Sequence, residues 1–227
     1  MYSKIRKEWV MSLSHAFYRS APVVKPRKVI FYDVDGVLAD PVRNTEGKYI
    51  QEADGFIDTK IINVEHFKKI NAFAIENNVA LHLLTGRDDN IPLNLTRNGD
   101  RNTVMLTGLI EQAGGFSESV GGFKRHCAIY YTGRMVENNK GKLVHTEMIT
   151  KAEVVKSVHY YQYPHLAPND ILVIDDSLRY LTPIKAKGYQ ILYVTAEMLA
   201  DHSHYALAEK FMSPALNINH TLPIVRL

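Results

Sequence analysis

The run Val29-Ile30-Phe31-Tyr32-Asp33-Val34-Asp35-Gly36-Val37-Leu38 constrains this chain more than any other stretch. Four apolar or aromatic residues, with turn residues soon after, read as a strand buried on both faces. Two carboxylates, spaced i and i+2, stand where that strand ends. In an extended chain residues two apart point to one side, so Asp33 and Asp35 begin on one face and diverge as the chain turns at Gly36. Crowded carboxylates are costly unless a cation or a proton neutralises them. The carboxyl ends of strands in an open α/β sheet are also where such sheets bind ligands. Taken alone, the stretch also fits an Asp-x-Asp-Gly turn without a catalytic role, so the rest of the chain has to decide.

The same pattern recurs downstream. The apolar run Val79 to Leu84 stops at Thr85-Gly86-Arg87, and Ile171 to Ile174 ends in Asp175-Asp176-Ser177. His126 to Tyr131 and Gln190 to Val194 supply two further strands. Val64, Phe67, Ile70 and Ala74 share one face of a helix from about Asn63 to Asn77. Thr150-Lys151-Ala152-Glu153 fits a capping box, which puts Lys151 at the first helical position with its stem reaching outward. Thr182-Pro183 is expected to start a short helix that Gly188 ends. Strands and helices alternating at this length imply an α/β fold, a doubly wound, Rossmann-like and mostly parallel five-stranded sheet with helices on both faces. Residues 39–58, polar and containing Gly47 and Gly55, read as a loop or small flap over the strand ends. Val104 to Ala113 reads as a short helix, and residues 133–145 as a hairpin or exposed excursion.

At 227 residues the chain is long enough for one α/β domain, placed at 28–227, with a small cap or hairpin insertion within 88–150. Ahead of it lies a basic arm, residues 1–27. Up to residue 28 the chain carries Lys4, Arg6, Lys7, Arg19, Lys25, Arg27 and Lys28 against Glu8 alone, whereas the whole chain has a net charge of only +3. Such an arm suits an acidic or phosphate-rich partner. Trp9, Leu13 and Phe17, at four-residue spacing, also allow a solvated helix docked on the body. No stretch approaches the ~20 consecutive apolar residues that cross a membrane, and the start lacks the apolar core of a signal peptide. Cys127 is the only cysteine, which permits a reducing compartment, and a cytoplasmic location is expected.

Three strand ends thus offer complementary groups. Carboxylates at two of them form a hard oxygen site suited to Mg²⁺. Thr85, Arg87 and Lys151 are donors for the equatorial oxygens of a phosphoryl group. One carboxylate can attack phosphorus, and a second can act as general acid and then base.

Asp33-Val34-Asp35-Gly36, then Thr85-Gly86-Arg87, Lys151 and Val173-Ile174-Asp175-Asp176, in that order, resemble the four motifs of the haloacid dehalogenase superfamily. The resemblance spans residues 28–195. It implies a phosphatase in which Asp33 is the nucleophile, forming an aspartyl-phosphate intermediate, and Asp35 the general acid/base. It implies phosphate binding by Thr85, Gly86, Arg87 and Lys151. Mg²⁺ would be held by Asp33, the backbone carbonyl of Asp35 and one of the acids Asp175 and Asp176. Asp176 is favoured as the ligand, with Asp175 as the partner of Lys151. Lys142 and Lys156 are nearby alternatives to Lys151, and Arg87 is alternatively a helix-start residue. By analogy, a weakly capped site suits an exposed phosphate on a large substrate, a phosphoprotein or phosphotyrosine, with polynucleotide ends and small metabolites as alternatives. A signalling module that accepts phosphate without turnover is the competing class, but nothing in that role requires Asp35. Two other signals are set aside. Cys127 and Arg134 are one residue too far apart for a cysteine-phosphatase loop, and His202 and His204, two apart, do not share a helix face.

Overall fold

The computed structural model describes residues 25–41, 58–61, 64–87, 93–97, 100–104, 128–137, 139, 141 and 143–213. In chain order the strands are β1 (Lys28–Tyr32), β2 (Ala39–Pro41), β3 (Asp58–Ile61), β4 (Val79–Thr85), β5 (Leu93–Arg97) and β6 (Asp100–Val104). They continue as β7 (Ile129–Tyr131), β8 (Gly133–Glu137), β9 (Leu143–Glu147), β10 (Ile171–Asp175) and β11 (Gln190–Tyr193). The helices are α1 (Val64–Glu76), α2 (Lys151–Gln162), α3 (Leu178–Lys185), α4 (Ala196–Asp201) and α5 (Ser203–Met212).

Five strands form a parallel sheet in the order β11-β10-β1-β4-β7. The strand carrying the acidic turn is therefore central, at the point where strand order reverses and a crevice opens beyond the carboxyl ends. Alternation along each strand builds two cores. Ile30, Tyr32, Leu81, Leu83, Leu172 and Ile174 face α1 and α5, meeting Phe67, Ile70, Tyr205 and Phe211. Val29, Phe31, Ala80, Leu84, Ile171 and Val173 face α2 and α3, meeting Val154, Val155, Val158, Leu181 and Ile184. Each fully buried large apolar side chain contributes about 1.5–3 kcal/mol relative to exposure. The expected doubly wound α/β fold with helices on both faces is thus the fold observed.

His82 is polar in the middle of a fully buried strand. Its ring is satisfied there, Nδ1 accepting the Ala128 N–H at 3.0 Å and Nε2 meeting the Tyr163 hydroxyl at 2.7 Å. At the amino end of β1, Arg27 donates from Nε to the Asn77 carbonyl at 2.6 Å and from Nη2 to that of Met212, while Lys28 Nζ reaches the Phe211 carbonyl. These are the C-terminal ends of α1 and α5, where helix carbonyls lack partners and cations are favourable. Part of the basic charge assigned to the arm therefore caps helices of the body. Residues 1–24 of the arm lie outside the described residues.

Three expectations change. The stretch 39–58, read as a loop or flap, contains strand β2 at its start and reaches the first residue of β3 at its end. With β5 and β6 these two strands form a second, four-stranded sheet in the order β2-β3-β5-β6, joined by the parallel pair β3–β5. Strands this short, paired with partners far along the chain, leave no periodic trace. Val104 ends a strand rather than starting a helix, and 105–113 lie outside the described residues. Helix α3 begins at Leu178, not at Thr182-Pro183, and Pro183 sits inside it. The Ser177 carbonyl accepts the N–H groups of Tyr180 and Leu181 at 3.1 Å each, and Leu181 and Ile184, three apart, are fully buried. That apolar spacing outweighs the preference of proline for a first turn. The hairpin expected at 133–145 is present as β8 and β9. His202 adopts a left-handed conformation between α4 and α5, so it and His204 do not lie on one helix.

Candidate active site

Register places the acids. Tyr32 pairs with Ile174, and the Asp33 N–H donates to the Ile174 carbonyl at 2.9 Å. The next residues, Asp33 and Asp175, therefore leave the sheet side by side. Asp33 is 6% exposed and Asp175 fully buried.

Lys151 lies between them. The capping box is formed as expected: Thr150 Oγ1 accepts the Glu153 N–H at 3.2 Å and Glu153 Oε2 accepts the Thr150 N–H at 3.2 Å. With the helix start pinned, the lysine stem runs inward rather than outward, and the residue is 1% exposed. Nζ meets Asp33 Oδ1 at 2.8 Å and donates to Asp175 Oδ2 at 2.7 Å. The other candidate described, Lys156, is exposed on the same helix, and Lys142 lies outside the described residues. The Tyr180 ring covers the ammonium, its centroid 4.7 Å from Nζ.

The remaining oxygens divide the acids by role. Asp33 Oδ1 also accepts the Val34 N–H at 2.7 Å, so these contacts fall on one oxygen and Oδ2 takes part in neither. Both oxygens of Asp175 are engaged, Oδ1 accepting the Ser177 N–H at 2.8 Å. Asp33, Asp175 and Asp176 each bring one carboxylate oxygen within 4.8 Å of the others. Gly36, at φ +83°, keeps room beside Asp176, because a Cβ there would run into the Asp176 carboxylate. This donor set fits a hard divalent cation: all ligands are oxygens, and the glycine preserves the space around one of them. Gly36→Ala is expected to cost at least about 1 kcal/mol through backbone strain alone and to weaken divalent binding by moving Asp176. Thermal unfolding with and without Mg²⁺ measures both effects.

Electrostatics agree. Burial pushes the Asp33 carboxyl well above its usual value against the pull of Lys151, and the Asp175 and Asp35 carboxylates add to the rise. Asp176 is raised to about 6, by burial first and then by Asp175. Burial works against the charged Lys151, yet the Asp33 and Asp175 carboxylates outweigh it and hold its ammonium above the usual value. One cause underlies all three: several carboxylates share a single cation in a dry site, so the cluster retains protons until a second cation arrives. A raised Asp176 means that the metal-free fold binds more protons than the unfolded chain between about pH 4 and about pH 6. Metal-free stability therefore falls as pH rises through that window, and a divalent cation held by Asp176 would bind more tightly as that carboxyl ionises. The Mg²⁺-induced rise in Tm is expected to be larger at pH 8 than at pH 5; an equal rise would exclude Asp176 as a ligand.

Thr85 ends β4 fully buried, and its Oγ1 accepts the Arg87 N–H at 3.2 Å. Thr132, unforeseen in sequence, donates to the Thr85 carbonyl from its N–H at 2.9 Å and from Oγ1 at 3.2 Å. Like the other polar groups here, it stands at the carboxyl end of a strand, and that signal would have found it. Nothing in the sequence pointed to Tyr180. The Arg87 guanidinium takes both oxygens of Asp35, Nε donating to Oδ2 at 2.9 Å and Nη2 to Oδ1. Asp33 and Asp35 thus face different cations. Arg134 is exposed on β8, and Cys127 lies outside the described residues.

No family model matches the chain and no curated protein matches it significantly. Solved structures that resemble it include a hypothetical protein from Xanthomonas campestris, at TM-score 0.40 and 16% identity, covering 73% of this chain and 63% of that one. The chain therefore spans less than two thirds of that protein. A putative HAD family hydrolase from Streptomyces avermitilis matches at TM-score 0.40 and 11% identity, over 74% of this chain and 71% of that one. The 3-deoxy-D-manno-octulosonate 8-phosphate phosphatase of Moraxella catarrhalis, solved with magnesium, phosphate and KDO, matches at TM-score 0.44 and 15% identity, over 82% and 88%. With these scores below 0.5, the chemistry of the site stands on its own residues.

Proposed function

We propose that this chain is a Mg²⁺-dependent phosphomonoester hydrolase of the haloacid dehalogenase type. One observation carries the reading: a buried ammonium bridging Asp33 and Asp175, beside Asp176, at the mouth of the central strand. In a purely structural role such a cluster would be expensive, because removing charges from water costs more than pairing usually returns.

The chemistry runs in two steps. An Asp33 carboxylate oxygen attacks phosphorus, the phosphorus–oxygen bond to the leaving group breaks, and Asp35, entering the step as the carboxylic acid, gives that oxygen its proton and is left as the carboxylate. Water then attacks the aspartyl phosphate, Asp35 takes the proton from that water, and phosphate leaves as Asp33 is regenerated. Thr85, the Gly86 backbone and Lys151 bind the equatorial oxygens, and Lys151 offsets the negative charge that gathers as phosphate approaches Asp33. Asp33, Asp176 and the Asp35 carbonyl would hold Mg²⁺, while Asp175 anchors Lys151. Bound Mg²⁺ supplies charge neutralisation at the phosphoryl oxygens and orients them.

The expectation of a large substrate rested on insertions too small to cover the site. Because the two insertions pool their strands in one sheet, small esters become as suitable as exposed phosphates on proteins or nucleic acids. Hydrolysis of p-nitrophenyl phosphate that requires Mg²⁺ and disappears with EDTA is the expected result; activity indifferent to EDTA would sink the reading. A panel of phosphopeptides, nucleotides, oligonucleotide ends and sugar phosphates then ranks the substrates.

A further inference from the structure

We propose that Arg87 is a positioning residue for Asp35 rather than a ligand of the phosphoryl group. The proposal rests on the phosphatase reading above. Its basis is the two-point grip of the guanidinium on the Asp35 carboxylate, with the arginine side chain 12% and the aspartate 31% exposed. A planar fork fixes the plane of a carboxylate as well as its place, which an ammonium cannot do. A carboxylate offers about four lone-pair sites. The fork occupies one on each oxygen, leaving one on each for the proton that passes to the leaving group or comes from water.

Arg87 is itself held. Its N–H donates to Thr85 Oγ1, and its carbonyl accepts the Gly133 N–H at 3.3 Å. Thr132 fixes the Thr85 carbonyl from the neighbouring strand end. Through Arg87, therefore, Asp35 is referenced to the end of β4, the element that carries the phosphate-binding hydroxyl. The proton donor and the phosphoryl cradle keep one fixed relation although they come from different strands. Proton transfer tolerates little misplacement, so a partly exposed acid gains from such a brace.

The test compares Arg87→Ala, Arg87→Lys, Asp35→Asn and the Arg87→Ala/Asp35→Asn double variant on an alkyl phosphate and on p-nitrophenyl phosphate. Arg87→Ala is expected to lower kcat/KM, which reads the first step alone, about 100-fold for the alkyl ester, the scale of one general acid, and by less than about tenfold for p-nitrophenyl phosphate, whose leaving group needs little help. Inhibition by inorganic phosphate should stay within about twofold of the unaltered chain, because phosphate binding is untouched. In the Asp35→Asn background, Arg87→Ala should change kcat by less than about twofold, since the group it positions is gone. Arg87→Lys keeps the charge without the fork and should follow alanine; it makes the same comparison if the alanine variant does not fold. Equal losses on both esters with weakened phosphate inhibition, or an Arg87 effect undiminished by Asp35→Asn, would overturn the proposal alone. Failure of the unaltered chain to hydrolyse either ester would overturn the phosphatase reading and this one with it.

Discussion

Asp33→Asn is expected to lower turnover by at least ~10⁴-fold, the scale seen when a nucleophile is removed, while leaving the fold as stable or slightly more so. The amide keeps the shape of the carboxylate and can still accept from Lys151 and the Val34 N–H, but it cannot carry the phosphoryl group. Lys151 remains paired with Asp175 at 2.7 Å. One of several mutually repelling buried acids is gone, and burial had already pushed that acid well above its usual value. Loss of activity with stability retained is the signature of a residue kept for chemistry at a cost to the fold. Measured kcat together with Tm decides it: activity surviving the substitution would remove Asp33 as nucleophile, and a large drop in Tm would make it a structural residue.

Lys151→Met should do the reverse to stability. Methionine fills the stem's space but leaves Asp33, Asp175 and Asp176 crowded without their cation. Removing one partner from a buried ionic cluster costs about 3–5 kcal/mol, a large share of the ~5–15 kcal/mol that holds a domain folded. Mg²⁺ should restore part of the loss, because it supplies positive charge to the same acids. The loss should be greatest at high pH, where the acids are ionised, and should shrink as they protonate. Urea unfolding with and without Mg²⁺ at two pH values reads all of this. A variant as stable as the parent and unresponsive to Mg²⁺ would mean that Lys151 does not neutralise the cluster.

Much of the main sheet was legible because it is written locally. Val79 to Leu84 and Ile171 to Ile174 are continuous apolar runs bounded by polar residues, and a parallel strand buried on both faces requires that pattern. The capping box that starts α2 is a four-residue signal, and it located Lys151. Helix α3 was misplaced because Pro183 was read as a start signal, while the burial of Leu181 and Ile184 fixed the real one. The second sheet was illegible for a different reason: β3 gains its parallel partner β5 from beyond the whole of α1 and β4, and such pairing depends on tertiary context rather than on pattern. The pairing of Asp35 with Arg87 was equally hidden. Sequence brought both residues to the strand ends but could not say which acid each cation would take.

That ion pair and the second sheet together form a closed circuit. From Asp35 the chain runs through Leu38 into β2, across to β3, on to β5, and back along the backbone to Arg87, whose guanidinium returns to Asp35. Covalent bonds, strand hydrogen bonds and one salt bridge thus make a ring with Asp35 at its clasp. Both ends of that ring are rooted in the main sheet, where β1 and β4 pair up to Tyr32 and Leu83, so the salt bridge is a second tie between the same two strand ends. The second sheet therefore springs from the two strand ends that one ion pair joins.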